Sequence, residues 1–278
     1  DNMSFFKSND INKTLLVYDG GGIGDKIMLF RFIKYLCFNF KNNKIIFFVN
    51  DNLTWIFNKI NKYNNLKIVS YLEPNKIGHF DYHCSLITLI QHLNFEYETI
   101  SFTPLFTDIN LKSSDVVSKI INSLDKESYI FNWKGNKLNL HEKNNRSMNL
   151  NYAIPLFEQK NINWIVITKD VTQEEKKLLN KYNVKYLGNI IDNNKTFYDS
   201  ISIIRNVKGV ISTDTSLVHL SANLDVPTYV LLTLGCEWRW THNKSTKWYP
   251  KLKLFRQKKF GEWRYVIENL LNNIVFNT

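Results

Sequence analysis

Short runs of apolar, β-branched and aromatic residues alternate along this chain with stretches whose apolar positions recur every three or four residues. That alternation predicts an α/β fold with parallel sheets. Residues 14–19 (TLLVYD) read as a strand, and GGGIGD follows. Over 26–38, Ile27, Phe30, Ile33 and Leu36 recur at threefold spacing, one face of a helix. Residues 44–49 (KIIFFV) predict a second strand, 53–61 a helix, 66–70 a third strand, and 81–92 a short strand running into a helix. The first part therefore reads β-α-β-α-β.

A polar helix over 113–126 precedes a second series. Residues 129–133 (YIFNW) predict a strand, and the polar segment KGNKLNLHEKNNRS a loop without apolar periodicity. A helix over 152–160 and a strand over 163–168 (NWIVIT) come next. Thr172 fits an N-cap with Glu175 as its capping-box partner, for a helix reaching Tyr182. Strands at 185–187, 209–212 and 228–232 alternate with helices at 197–204 and 216–224, and an amphipathic helix over 262–275 closes the chain. Two successive βα series predict two Rossmann-like domains facing an interdomain cleft. The boundary lies near residues 105–128, and the expected division is 1–126, 127–260 and a terminal helix in 261–278.

Composition narrows the class. The 278 residues are 44% hydrophobic and 22% charged, ordinary globular values that exclude a disordered or fibrous chain. The length suits one large domain or two of about 100–150 residues. Lys and Arg number 36 against 25 Asp and Glu, a net +11, and aromatics reach 14%. That balance points to an anionic partner: nucleic acid, nucleotide, phosphorylated substrate or membrane surface. Cys37, Cys84 and Cys236 are widely spaced with no C-x-x-C pair, which fits free thiols in a reducing cytosol. No apolar run reaches the 18 or so residues of a spanning helix, and the N-terminal residues are too polar for a signal peptide. A cytoplasmic protein is expected. His79, His83 and His92 lack metal-ligand spacing and read as structural or surface residues, whereas Cys37 and Cys84 sit in apolar stretches and read as core.

Two loops carry candidate chemistry. In the first, Gly20–Gly22, Ile23, Gly24 and Asp25 join a strand to a helix. Glycines there permit positive φ and close approach of another molecule, and the free N–H groups of the helix start suit an anion. A plain tight turn explains the glycines equally well. A dinucleotide-binding loop fits less well, because the spacing is not G-x-G-x-x-G and no acidic residue ends the second strand. Asp25 either complements the helix dipole or serves as a general base at the carboxyl edge of the sheet.

The second loop lies in Gly209–Trp240, GVISTDTSLVHLSANLDVPTYVLLTLGCEWRW. Thr213, Asp214 and Thr215 place hydroxyls and free N–H groups at a helix N-terminus, where a diphosphate would sit well. His219 follows Thr215 by four residues and shares its helix face. The bland alternative makes Asp214 or Thr215 an N-cap and His219 a partly exposed helix residue. Trp238, Arg239, Trp240, Trp248 and Tyr249 form an aromatic tail that either stacks on a base or sugar or packs an interface.

The segment TDTSLVHLSANLDVPTYVLL resembles the signature of glycosyltransferase family 9, the ADP-heptose:lipopolysaccharide heptosyltransferases. It is closer still to the glycosyltransferase domain found behind bacterial tetratricopeptide repeats. CEWRW with KWYPKLKLFRQKKFGEW, GGGIGDKIMLFRFIKYL, and NWKGN with Arg146 and Ser147 downstream resemble that second group in the same order. The resemblance spans residues 14–270. Ser216 departs from it, since the family more often has Gly or Ala there. The chain has no tetratricopeptide repeats.

The resemblance implies a GT-B fold, with an N-terminal acceptor domain (1–126), a C-terminal nucleotide-sugar domain (127–260) and a last helix packing back on the N-terminal domain. It implies an inverting transfer from a nucleoside-diphosphate sugar to a glycan, lipid-linked or protein acceptor, with no cofactor or metal, in keeping with the lack of a D-x-D motif. Asp25 matches the catalytic base. Gly22, Gly24, Lys134, Arg146, Thr213, Asp214, Thr215, Ser216 and His219 match donor and diphosphate contacts. Glu237, Trp238 and Trp240 are candidate base or sugar contacts. Two other readings stay open: a non-catalytic GT-B binding module, and a basic nucleic-acid-binding protein, which the scattered lysines argue against. The charge also suits peripheral association with an anionic membrane.

Overall fold

The computed structural model describes residues 5, 10–124, 127–135, 146–274 and 276. The chain divides into two compact units, 1–101 with 105–109, and 102–104 with 110–278.

The first unit is built on a parallel sheet of β1 (Thr14–Tyr18), β2 (Lys44–Val49), β3 (Leu66–Ser70) and β4 (Tyr82–Ser85), ordered β3-β2-β1-β4. Helices α1 (Ile23–Asn39), α2 (Asp51–Ile60) and α3 (Leu89–His92) complete it. β1 is central, and its Leu15 and Val17 are fully buried. Phe30 of α1 stacks on Phe57 of α2 at 4.4 Å, and Phe47 of β2 meets Phe57 edge-on at 5.3 Å. These rings bury large apolar area and fix how both helices lie on the sheet. Helix α1 starts three residues earlier than its periodicity predicts, because Gly22 is its N-cap and Asp25 falls in its first turn. Cys37 and Cys84 are buried, and burial pushes both thiols up to about 12.

The second unit holds α4 (Asp115–Asn122), β5 (Glu127–Asn132), α5 (Ile154–Phe157), β6 (Ile162–Val166), α6 (Gln173–Lys181), β7 (Lys185–Tyr186), α7 (Tyr198–Ile204), β8 (Gly209–Thr213), α8 (Ser216–Asn223), β9 (Thr228–Leu232), β10 (Leu252–Arg256) and α9 (Trp263–Leu271). All six strands are parallel, in the order β10-β9-β8-β5-β6-β7. This is doubly wound order. The chain leaves β5 for one edge through β6 and β7, then returns to build the other from β8. The switch point, where open α/β sheets bind ligands, lies between β5 and β8.

Several boundaries differ from the sequence reading. β10 was not anticipated: it is a short edge strand behind an aromatic, Lys-rich segment. The helix expected over 152–160 is a 3-10 turn at Leu150–Ala153 followed by the short α5. The expected 126/127 division falls on residues 125–126, outside the described residues. By contact the chain divides near 101–110, and α4 goes with the second unit. There Ser114 donates to Asp199 at 3.1 Å and Tyr198 donates to the Lys112 carbonyl at 3.2 Å. The terminal helix α9 places Trp263, Val266, Ile267 and Leu270 in one core with Tyr129, Phe131, Phe157 and Trp164 of the second unit. Its apolar stripe faces that core. Position 275, its expected end, lies outside the described residues. Among the described residues no helix is long and apolar enough to cross a membrane.

The units differ in charge. Residues 1–109 hold 11 Lys and Arg against 10 Asp and Glu, and residues 110–278 hold 25 against 15. Almost all of the +11 belongs to the second unit.

Candidate functional site

In the first unit, chemistry-bearing residues gather where β1 ends. Gly21 has φ +75, a left-handed conformation that favours glycine. A Cβ there would lie 2.6 Å from Asp25 Oδ2, so the loop and the carboxylate are in close contact. The Gly22 N–H donates to Asp25 Oδ2 at 2.7 Å. Asp25 thus satisfies an orphan amide at the start of α1, which is the dipole-complementing role the sequence offered. It is half-buried.

Next to it stands a pair that sequence reasoning missed. Lys26 Nζ donates to the Gly21 carbonyl at 3.2 Å and lies 3.3 Å from Asp19 Oδ2. Their side chains are 10% and 7% exposed. Asp19 also accepts from the Asn50 N–H at 3.1 Å and from the Tyr71 hydroxyl. Four chain segments therefore meet on Asp19 and hold the glycine loop from beneath. Only the adjacency of Asp19 and the glycines hinted at this, because Asn50 and Tyr71 are far away in sequence.

In the second unit, a polar network spans the switch point. Asn132, the last residue of β5, donates to Ser212 Oγ at 3.0 Å and to Thr215 Oγ1 at 3.3 Å. Thr168 donates to Asn132 Oδ1 at 2.5 Å, and the Ser212 and Thr215 hydroxyls are 3.0 Å apart. Thr215 is the N-cap of α8, but its hydroxyl is committed to this network and makes no side-chain cap bond. The first amides of α8 thus keep the donor character and partial positive charge that suit an anion. Thr213 is fully buried, and its hydroxyl has no hydrogen-bond partner. Ser216 is half-buried at the start of α8.

Asp214 is 4% exposed, and its carboxylate lies 3.7 Å from the equally buried Arg239 guanidinium. Burial pushes its pKa up, and the charges of Arg239 and Arg146 pull back only in part. Arg146 is half-buried. Gly135 N–H donates to Ser147 Oγ at 3.2 Å and Met148 N–H to the Trp133 carbonyl at 2.8 Å, which brings the Lys134 and Arg146 ends of the polar loop together. Asn136 and the rest of that loop to 145 lie outside the described residues.

Lys134 is 7% exposed and pairs with Glu175 Oε2 at 2.6 Å. Glu175 also accepts from Trp133 Nε1 at 3.0 Å and from the Thr172 N–H at 2.8 Å, which completes the expected capping box. Burial raises the pKa of Glu175, but the hydrogen bonds from Lys134, Thr172 and Trp133 outweigh it and hold it below the ordinary carboxylate range. The predicted diphosphate cation is therefore held by a neighbouring helix cap in this structure.

The aromatic tail divides. His219 is 2% exposed, its Nδ1 lies 2.8 Å from the Tyr249 hydroxyl, and its ring stacks on Trp240 at 5.4 Å. Trp240, Trp248 and Tyr249 are all buried. Trp240 is thus packing around His219, and no ligand can stack on it as it stands. Trp238 is 57% exposed, lies under the Arg239 guanidinium at 5.8 Å and meets Trp248 edge-on. Glu237 beside it is half-buried. Among the described residues no group of three or more His, Cys, Asp or Glu could hold a metal ion.

No protein-family model and no curated protein matches the chain. Solved structures do match. E. coli ADP-heptose lps heptosyltransferase II superposes with a TM-score of 0.57 at 11% identity, covering 93% of this chain and 98% of that one. The glycosyl transferase family 9 protein from Veillonella parvula gives 0.57 at 9% identity over 96% and 91%. E. coli heptosyltransferase WaaC with ADP-2-deoxy-2-fluoro heptose gives 0.51 at 13% over 94% and 100%. The chain has the fold of these proteins, the GT-B fold that the motifs implied.

Proposed function

We propose that this protein is a glycosyltransferase that moves a sugar from a nucleoside-diphosphate donor to a hydroxyl acceptor. The observation that carries the reading is the network at the β5/β8 switch point, Asn132, Ser212 and Thr215, beneath the α8 N-terminus and beside the buried Asp214 and Arg239. A diphosphate held there would receive N–H groups and a helix dipole, with Arg146 and Lys134 near the same strand ends. Similarity to an enzyme solved with an ADP-linked sugar supports a nucleotide-sugar donor.

The proposed reaction is an inverting transfer. The acceptor oxygen attacks the anomeric carbon as the carbon–oxygen bond to the diphosphate breaks, inverting that centre. Asp25 takes the acceptor proton. The leaving diphosphate gains negative charge, which amides and cations stabilise without a metal. The acceptor is a glycan, a lipid-linked glycan or a protein.

One observation favours a second reading, a donor-binding module without transfer. Asp25 is engaged as a helix cap and Lys134 as the partner of Glu175. A thermal-shift series over ADP, GDP, UDP and their sugar conjugates, followed by donor-consumption assays, separates the two. Stabilisation by one nucleotide series with transfer supports the enzyme. Stabilisation without transfer or donor hydrolysis supports the module, and no stabilisation by any nucleotide overturns both.

A further inference from the structure

Residues 238–261 contain eight Lys and Arg and no Asp or Glu. They begin in the loop after β9, include β10, and run to the start of α9. Two consecutive side chains at the end of β10 staple the flanking loops together. Arg256 reaches Cys236 Sγ and the carbonyls of Trp240 and Thr241. Gln257, 2% exposed, accepts from Thr233 Oγ1 at 3.3 Å, the Leu234 N–H at 3.4 Å and the Gly261 N–H at 3.1 Å. Leu234 and Gly261 therefore share one acceptor atom, and the tips of both loops form one rim.

That rim displays large apolar side chains in water. Leu234 is 46% exposed and Phe260 59% exposed, with Lys258 and Lys259 exposed beside Phe260. The shared Gln257 acceptor brings these two apolar tips to one edge beside the lysines. Two of the segment's cations pair with carboxylates outside it, Arg239 with Asp214 and Lys251 with Asp225. The Lys258 ammonium lies over the Tyr265 ring at 4.2 Å, a cation–π contact that seats it at this edge of the unit.

We infer that this rim of the second unit docks on an anionic lipid bilayer, with Leu234 and Phe260 entering the interface and Lys258 and Lys259 meeting acidic headgroups. Both properties are needed for that partner. Headgroup charge rewards the lysines, and the acyl boundary rewards the two tips. A polyanion such as RNA would reward the lysines, but the aliphatic Leu234 offers it no face for stacking. The inference stands independently of the transferase reading.

Cosedimentation of the full chain with vesicles tests it, using phosphatidylcholine alone and phosphatidylcholine mixed with phosphatidylglycerol. The wild type should sediment with the mixed vesicles, and less so in high salt. Each cation near the surface accounts for about a fivefold change in partition, so the double charge reversal K258E/K259E should lower it at least ~tenfold. L234S/F260S should weaken vesicle binding while leaving heparin binding unchanged. Circular dichroism of each variant confirms folding, and single substitutions replace any double variant that unfolds. Equal sedimentation with both vesicle types, or vesicle binding by L234S/F260S equal to wild type, overturns the proposal. The latter result would assign the rim to polyanions.

Discussion

The two loops at the strand ends are built on opposite principles. In the first unit the loop is mostly backbone: three glycines and a carboxylate that caps its own helix. Its shape is imposed from below by Asp19 and Lys26. In the second unit side chains do the work, with hydroxyls and an amide linked across β5 and β8 and a buried acid beside a buried guanidinium. The first arrangement leaves a half-buried carboxylate beside a loop with little side-chain bulk. The second is preorganised and sits in the unit that carries almost all of the net positive charge. Under the proposed function the first loop would meet a neutral hydroxyl and the second an anion.

The strongest attack on that contrast is at Asp25. Asp25→Asn keeps a side-chain oxygen able to accept from the Gly22 N–H, so α1 should remain capped, whereas the general base proposed above is lost. Transfer should fall by roughly 10²–10⁴, with donor affinity and melting temperature almost unchanged. Turnover at the wild-type rate would reduce Asp25 to a cap and make the two loops alike in having no reactive group. Asp25→Ala would remove the cap as well and is the poorer test.

The imposed shape of the glycine loop can be broken next. Lys26→Met leaves the Asp19 carboxylate buried without its cation, and breaking a buried pair in this way costs about 3–5 kcal/mol. Asp19→Asn combined with Lys26→Met should recover most of that loss, because it removes both charges together. Urea midpoints of the single and double variants measure the coupling. If the double variant is no more stable than Lys26→Met, the pair does not act as a buried unit and the loop is held by other means.

These residues also show which parts of the molecule the sequence makes legible. The glycine loop, Asp25, the Asp-Thr loop and the Thr172–Glu175 capping box are local patterns, and the structure places each at the start of a helix, although α1 begins three residues early. The anchors were not legible, since Asp19 needs Asn50 and Tyr71, and Asn132 needs Ser212 and Thr168. Such contacts exist only after strands are paired. The aromatic tail was ambiguous for a related reason. Trp238 and Trp240 look equivalent in sequence, yet two residues along a 3-10 turn suffice to expose one and bury the other against His219. The net charge was plain, but its concentration in the second unit follows only from knowing where the units divide.

The preorganisation of the second loop predicts a smaller effect at Tyr249. Tyr249→Phe keeps the ring packing and removes only the hydroxyl beside His219 Nδ1. A neutral hydrogen bond lost in a buried setting costs about 1 kcal/mol, visible as a modest drop in the urea midpoint. If donor binding also weakens, His219 transmits its orientation to the donor loop. If stability falls and binding holds, the His219–Tyr249 pair is packing alone.

The smallest expected effect lies in the pH dependence of the Lys134–Glu175 pair, and it bears most directly on whether the second loop keeps a cation for its ligand. The hydrogen bonds to Glu175 hold its folded pKa below the ordinary range. An acid with a lowered folded pKa contributes stability that is present above its unfolded pKa and is lost as pH falls through the folded one. Glu175→Gln should therefore be less stable than wild type near neutral pH, and the gap should close as the solution is acidified below the ordinary carboxylate range. Melting temperatures of both proteins across that range measure it. Repeating the series with the stabilising nucleoside diphosphate sharpens the test. If Lys134 turns from Glu175 to the diphosphate, the bound protein should lose most of the gap at neutral pH, because the carboxylate no longer has its cation in the wild type either. A gap that stays the same with nucleotide bound would keep Lys134 with the helix cap and leave the diphosphate to Arg146, Arg239 and the α8 amides.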